Sequence, residues 1–108
     1  DRTKALQRAA DDQDLLREIM KVFVEDAPRQ LREIHEAFDS QDAEEVRKKS
    51  HALRGAAGNV SAVALQMKAQ EIEQQSLQAS FDQIEPQIQS LDGLFEQFKQ
   101  SLIQHGDI

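Results

Sequence analysis

Within the stretch Ser50-His51-Ala52-Leu53-Arg54-Gly55-Ala56-Ala57-Gly58-Asn59 a serine, a histidine and an arginine stand together with two glycines. An imidazole is a usable nucleophile near neutral pH because its ordinary pKa is about 6.5. At about 100° per residue, Val46, Ser50, Leu53, Ala57 and Val60 fall on one narrow apolar stripe of a helix. With that stripe set at roughly 0°, Arg54 lies at about 80°, Gly58 at about 120°, His51 at about 140° and Gly55 at about 180°. His51 therefore points away from the core, and the glycines beside it carry no side chain. A helix-interior glycine costs roughly 0.5–1 kcal/mol relative to alanine. Two of them on an outer face, where no packing partner needs the room, imply that another molecule must reach the ring. A lone helical histidine is more often a solvated structural residue, and Gly58 also suits a fraying helix end; the combination is what points to a reactive imidazole. Ser50 is no proton partner for it, since adjacent helix positions diverge by about 100°, which removes a Ser-His hydrolase.

The elements that position this segment follow from composition and period. A chain of 108 residues is one domain, 1–108, with 39% hydrophobic residues and neither Trp nor Tyr, so its core must be aliphatic and phenylalanine. Ala, Leu, Gln, Glu, Lys and Arg dominate and β-branched residues are sparse, which makes the class all-α. The absence of cysteine excludes disulfides, thiol nucleophiles and thiolate metal sites. No apolar run approaches the roughly 18 residues that span a bilayer. A net charge of −7 disfavours nucleic acid and anionic membrane as partners. The chain starts at Asp1 without an initiator Met, so a fragment of a longer protein is expected, with room for a membrane anchor elsewhere in the parent.

Residues 3–10 read as a short lead-in helix with Leu6 and Ala9 as its contacts, and Asp11 and Asp12 as caps for the next segment. From Leu15 to Phe38 apolar residues recur at Leu16, Ile19, Met20, Phe23, Ala27, Leu31, Ile34 and Phe38, with a kink expected at Pro28. Residues 39–42 form a turn, and Asp42 with Glu45 is a capping-box pattern opening the helix that carries His51. After a tight connection at 59–61, Ser61 is expected to cap a helix through Leu77 with Leu65, Ala69 and Ile72 inward. Residues 78–82 read as a loop, Asp82 with Glu85 as a second capping box, and Pro86 as a first-turn proline. Ile84, Ile88, Leu91, Phe95, Phe98 and Leu102 then alternate by four and three. Four long helices with short links imply an antiparallel up-down-up-down four-helix bundle with a short extra N-terminal helix.

The string from His51 to Ala62 resembles the phosphoacceptor segment of histidine-containing phosphotransfer (HPt) domains. Their usual form is histidine, any residue, an apolar residue, lysine or arginine, glycine and two small residues, with an apolar–glycine pair a few positions on. Helix order and length fit that family along nearly the whole chain. Ser61 departs from it, standing where the family often has glycine.

The resemblance implies that His51 accepts a phosphoryl group from a receiver-domain aspartate, or from a kinase domain that could belong to the same parent chain, and passes it to another receiver. It also implies that Glu73, 22 residues later, accepts a hydrogen bond from Nδ1–H and leaves Nε2 free, with Gln70 a weaker candidate for that task. Arg54, three positions after His51, can bond phosphoryl oxygens. Gly55 and Gly58 give access. No cofactor or metal is expected in this domain: receivers present an acidic pocket that holds Mg²⁺, so the metal belongs to the partner. Arg47, Lys48 and Lys49 form a positive run suited to docking an acidic surface. If the helices on either side of Ser40 pair antiparallel, Asp26, Ala27 and Gln30 lie across from the site as docking contacts. A monomeric, cytoplasmic domain is expected. His35 and His105 read as ordinary surface residues.

Two rival functions use the same fold. A carboxylate-bridged metal bundle wants Glu-x-x-His pairs facing inward, whereas Glu33 and His35 are two apart and the apolar stripes hold no acid. A non-catalytic docking or adaptor module needs no reactive histidine, yet His51 stands here with its basic and glycine companions.

Overall fold

The computed structural model describes the backbone of residues 2–108 and the side chains of Thr3 and residues 12–108. Its helices are α1 (Arg2–Asp39), α2 (Ala43–Asn59), α3 (Val63–Gln75) and α4 (Phe81–Gln104), and no strand occurs among the described residues. Short turns join them, so consecutive helices run antiparallel, and α4 closes back on α1 to complete a four-cornered bundle. The core is the set of stripes that the period marks. Val46, Ser50, Leu53 and Ala57 are buried on α2, Leu65, Ala69 and Ile72 on α3, and Ile84, Ile88, Leu91, Phe95 and Leu102 on α4. Edge-to-face ring contacts join α1 to α4 at two levels. Phe23 meets Phe95 and Phe98 at centroid distances of 6.1 and 5.8 Å, and Phe38 meets Phe81 at 5.5 Å.

α1 departs from expectation in two ways. There is no separate lead-in helix: the backbone is helical from Arg2 straight through Asp11 and Asp12, so no helix starts there. Neither brings a glycine, proline or apolar gap that would end the helix, and isolated acids are tolerated in helical backbone. The expected contacts of Leu6 and Ala9 lie outside the described side chains. α1 also continues through Pro28, which is exposed at its surface. Second, the 38 residues of α1 outreach the 17 of α2. Beyond the end of α2 its period continues without a partner on that flank, so Leu15, Leu16, Ile19 and Val22 are all exposed.

The boundaries moved where a better cap lay nearby. α2 opens at Asp42 as expected, its carboxylate accepting from the Glu45 N–H at 3.1 Å, but the capping box is only half made, because the Asp42 N–H donates to the Ala37 carbonyl at 3.1 Å. α4 starts earlier than expected, at Ser80 rather than Asp82. Ser80 and Gln83 form a reciprocal capping box, and Asp82 falls inside the first turn, where its charge favours the helix N-terminus. Pro86 is thereby the sixth residue of α4, in the second turn, and removes the hydrogen bond that the Asp82 carbonyl would accept. α3 ends at Gln75, short of Leu77, and Ala62 rather than Ser61 sits at its start. Ser61 instead takes a left-handed conformation with φ 57°, the geometry that suits glycine. The glycine common in the resembling family at this place thus has a conformational reason. The α2–α3 turn is held by the Ala57 carbonyl, which accepts from Ala62 N–H at 2.9 Å and from Val60 N–H at 3.3 Å.

Candidate functional site

His51 projects from the middle of α2 with 57% of its side chain exposed. Its Nδ1 lies 2.9 Å from Glu73 Oε1 on α3. Glu73 is itself only 16% exposed, because position 73 lies on the flank of the Leu65–Ala69–Ile72 stripe that turns toward α2. An ionised carboxylate only accepts hydrogen bonds, so this contact is made when His51 Nδ1–H donates to it. The lone pair is then on Nε2, the ring atom farthest from the backbone, pointing outward.

Arg54 completes the cluster from one turn along α2. Its Nε lies 3.2 Å from Glu73 Oε2, and its Nη2 lies 3.0 Å from His51 Nδ1. Glu73 Oε2 is fully buried and accepts no well-aligned hydrogen bond, so the contact with Arg54 is an ion pair rather than a hydrogen-bonded fork. One ring nitrogen cannot donate to Glu73 and accept from Arg54 at the same time. The carboxylate and the guanidinium therefore favour opposite tautomers of His51.

The two glycines play different parts. A methyl group added at Gly55 would meet nothing within 4 Å, so the surface beside the imidazole is open there. At Gly58 a Cβ would come within 3.0 Å of the Gln66 side chain. The surface there is covered by the flexible end of Gln66 and is less open than at Gly55. Ser50, immediately before the histidine, is wholly buried in the core stripe with its hydroxyl oxygen unpartnered.

The remaining expected site residues are placed less favourably. Ala27 has no exposed surface and belongs to the core, so it is not a docking contact. The antiparallel pairing placed its position correctly across from α2, but its side chain lies on the inward stripe of α1. Asp26 is half exposed and pairs with Arg29 at 3.0 Å. With the partly buried Gln30 it lines a groove of about 180 Å³ that also takes in Ile19, Val22, Ala56 and Asn59. Gln70 is exposed and makes no hydrogen bond to His51; it borders a groove with Met67, Glu71 and Leu94 on the outer side of α3. Arg47 is hydrogen-bonded to Glu44, which raises its pKa, and the charges of Glu44 and Glu73 raise it further. Lys48 lies 3.8 Å from Glu45 and Lys49 lies 3.5 Å from Glu33. The positive run is thus largely offset by neighbouring acids.

Sequence reasoning missed the Arg54–Glu73 ion pair. Its partners lie 19 positions apart on different helices, and no periodicity within one helix reports such a contact. It also missed that His35 Nε2 lies 3.0 Å from Asp92 Oδ2, a contact between α1 and α4. His105 Nδ1 lies 2.7 Å from the Ser101 carbonyl in the last turn of α4. Among the described residues no three His, Asp or Glu side chains gather in a way that could hold a metal ion. Among the described residues no helix is long and apolar enough to cross a membrane.

Comparison with known proteins places this geometry. Residues 18–104 match the Hpt domain family. The structure is similar to the crystal structure of the HPT domain from an Hpt sensor hybrid histidine kinase of Shewanella, with a TM-score of 0.67 and 25% identity, over 96% of this chain and 93% of that one. Among curated proteins no sequence match is found. The family match runs from the bundled part of α1 to the last residue of α4 and includes the whole His51 cluster. The chain belongs to the Hpt domain family, the helical phosphocarriers of two-component phosphorelays.

Proposed function

We propose that His51 is the phosphoacceptor. The observation that carries this reading is an exposed imidazole whose Nδ1 meets a carboxylate at 2.9 Å beside a glycine with open space around it. With Nδ1–H donating to Glu73, the Nε2 lone pair attacks the phosphorus of a receiver's aspartyl phosphate. The new P–N bond forms as the P–O bond to the aspartate breaks, and that electron pair leaves on the receiver's carboxylate. The ring becomes an imidazolium, and its positive charge is shared through Nδ1–H with Glu73. Transfer to a second receiver is the same step in reverse. Mg²⁺ and most of the catalysis belong to the receiver; this domain contributes a positioned nucleophile. Arg54 adds a guanidinium one turn away that can bond phosphoryl oxygens.

The receiver docks over the outer face of α2, where His51, Ala52 and Gly55 are exposed. Asp26 and Gln30 border that face from α1, while Arg47 and Lys48 edge it at the start of α2. We take the chain to act as one monomeric HPt domain on the cytoplasmic side, where receivers reside. The test is to mix the domain with a phosphorylated receiver and look for an acid-labile, alkali-stable phosphate on it. His51→Gln is expected to abolish labelling with helicity unchanged, and persistent labelling of that variant would falsify the assignment.

A further inference from the structure

We propose that Arg54 is a positioning residue that acts on His51 through Glu73, setting which ring nitrogen carries the proton before any phosphoryl group arrives. Three observations lead there. Glu73 is only 16% exposed, and its Oε2 is fully buried without a well-aligned hydrogen bond. The cation within salt-bridge distance of that oxygen is Arg54, with Nε at 3.2 Å. A guanidinium beside a carboxylate oxygen so placed offsets its buried charge and holds the group in position. Once ionised, the carboxylate can only accept, which fixes the proton on Nδ1 and the lone pair on Nε2.

The direct contact of Arg54 with the ring works in the opposite sense. A guanidinium only donates, and Nη2 lies 3.0 Å from Nδ1, so taken alone it favours an unprotonated Nδ1 and a proton on Nε2. That tautomer has no outward lone pair and cannot attack phosphorus. Arg54 therefore has two influences on the same nitrogen with opposite signs, and removing it tells them apart. If it acts by holding Glu73, its loss lowers the Nδ1–H population. If it acts on the ring directly, its loss raises that population.

The experiment is ¹⁵N NMR of histidine-labelled domain at a pH where the ring is neutral, on the wild type, Arg54→Gln, Arg54→Lys, Glu73→Ala and the Arg54→Gln/Glu73→Ala double variant, each checked for helicity. In the wild type the two His51 nitrogens are expected to be well separated in the pattern of an Nδ1–H tautomer. Arg54→Gln is expected to move them toward the averaged pattern of a free imidazole, and Arg54→Lys, which retains a cation without the guanidinium's fork, to recover part of the separation. Glu73→Ala, which removes the acceptor, is expected to move them as well, and the double variant to add nothing to Glu73→Ala alone. An unchanged His51 spectrum in Arg54→Gln, a larger Nδ1–H population there, or additive shifts in the double variant each overturn the proposal. An Arg54 whose sole task is to bind the phosphoryl group leaves the resting spectrum untouched. The proposal rests on the phosphoacceptor reading only for its consequence in catalysis. The spectra are recorded on unphosphorylated domain, so a failure of labelling at His51 and a failure of the clamp show up in different measurements.

Discussion

The molecule contains two histidines paired with a carboxylate on a neighbouring helix, and they differ in every respect that matters for nucleophilic attack. His51 meets Glu73 between α2 and α3 at 2.9 Å, and His35 meets Asp92 between α1 and α4 at 3.0 Å. His51 engages its carboxylate through Nδ1, which leaves Nε2 projecting. His35 uses Nε2, so the nitrogen left over is Nδ1, crowded by its own Cβ and helix backbone. The imidazole is the more exposed partner in the first pair, 57% against 16% for Glu73. In the second it is the more covered one, 34% against 60% for Asp92. A carboxylate shielded from water orients a ring strongly; one left mostly in water does so weakly. What distinguishes a site from a surface contact here is which nitrogen is engaged and which partner is buried.

Exchanging the two histidines breaks the comparison most sharply. His51→Gln is expected to remove phosphoryl labelling entirely and His35→Gln to leave it intact, as read by transfer from a phosphorylated receiver. The carboxylates come next. Glu73→Ala is expected to slow transfer by roughly 10–100-fold, the scale of loss when the partner that orients a metal-bound imidazole is removed. Asp92→Asn is expected to leave the rate alone and cost about 0.5 kcal/mol or less by denaturant melts, because exposed pairs contribute little. A matching pair of glycines refines the contrast. Gly55 and Gly93 both have open space where a Cβ would go, so alanine at either is expected to stabilise its helix by about 0.5–1 kcal/mol. A bulky residue at Gly55 is expected to slow transfer with helicity unchanged, whereas the same change at Gly93 leaves transfer unaltered. An effect on stability alone is expected at Ser61, whose left-handed φ of 57° should make Ser61→Gly stabilising by up to about 1 kcal/mol.

The inward residues of the bundle were largely legible, since burial of a stripe is enforced by period alone. Val46, Ser50, Leu53, Ala57 and Val60 are each 3% exposed or less, and the three inward residues of α3 are buried as expected. The outward direction of His51 and the open surface at Gly55 follow from the same arithmetic. What period could not supply was competition between nearby signals. Asp82 and Ser80 both suit a cap, and the residue three positions later, Gln83 for Ser80, decided the matter in space. Ser61 looked like a cap by type but was needed for a turn. Ala27 was placed across from the site by antiparallel pairing, yet an alanine on an apolar stripe is drawn inward regardless of its level in the bundle. Leu16 and Ile19 kept the helical period but lay past the end of α2, a length mismatch that only the assembled bundle reveals. Glu73 was legible through family resemblance; its pairing with Arg54 was not, because an ion pair between helices depends on their relative height.

The reactive pair spans only 22 positions of chain, all within the α2–α3 hairpin. Such a unit closes a short loop when it forms, so the entropic cost of bringing ring and carboxylate together is small and independent of the distant termini. α1 and α4 then serve as a frame that steadies a hairpin already bringing its chemistry together locally. After a transient opening of the bundle the nucleophile can be among the first features restored.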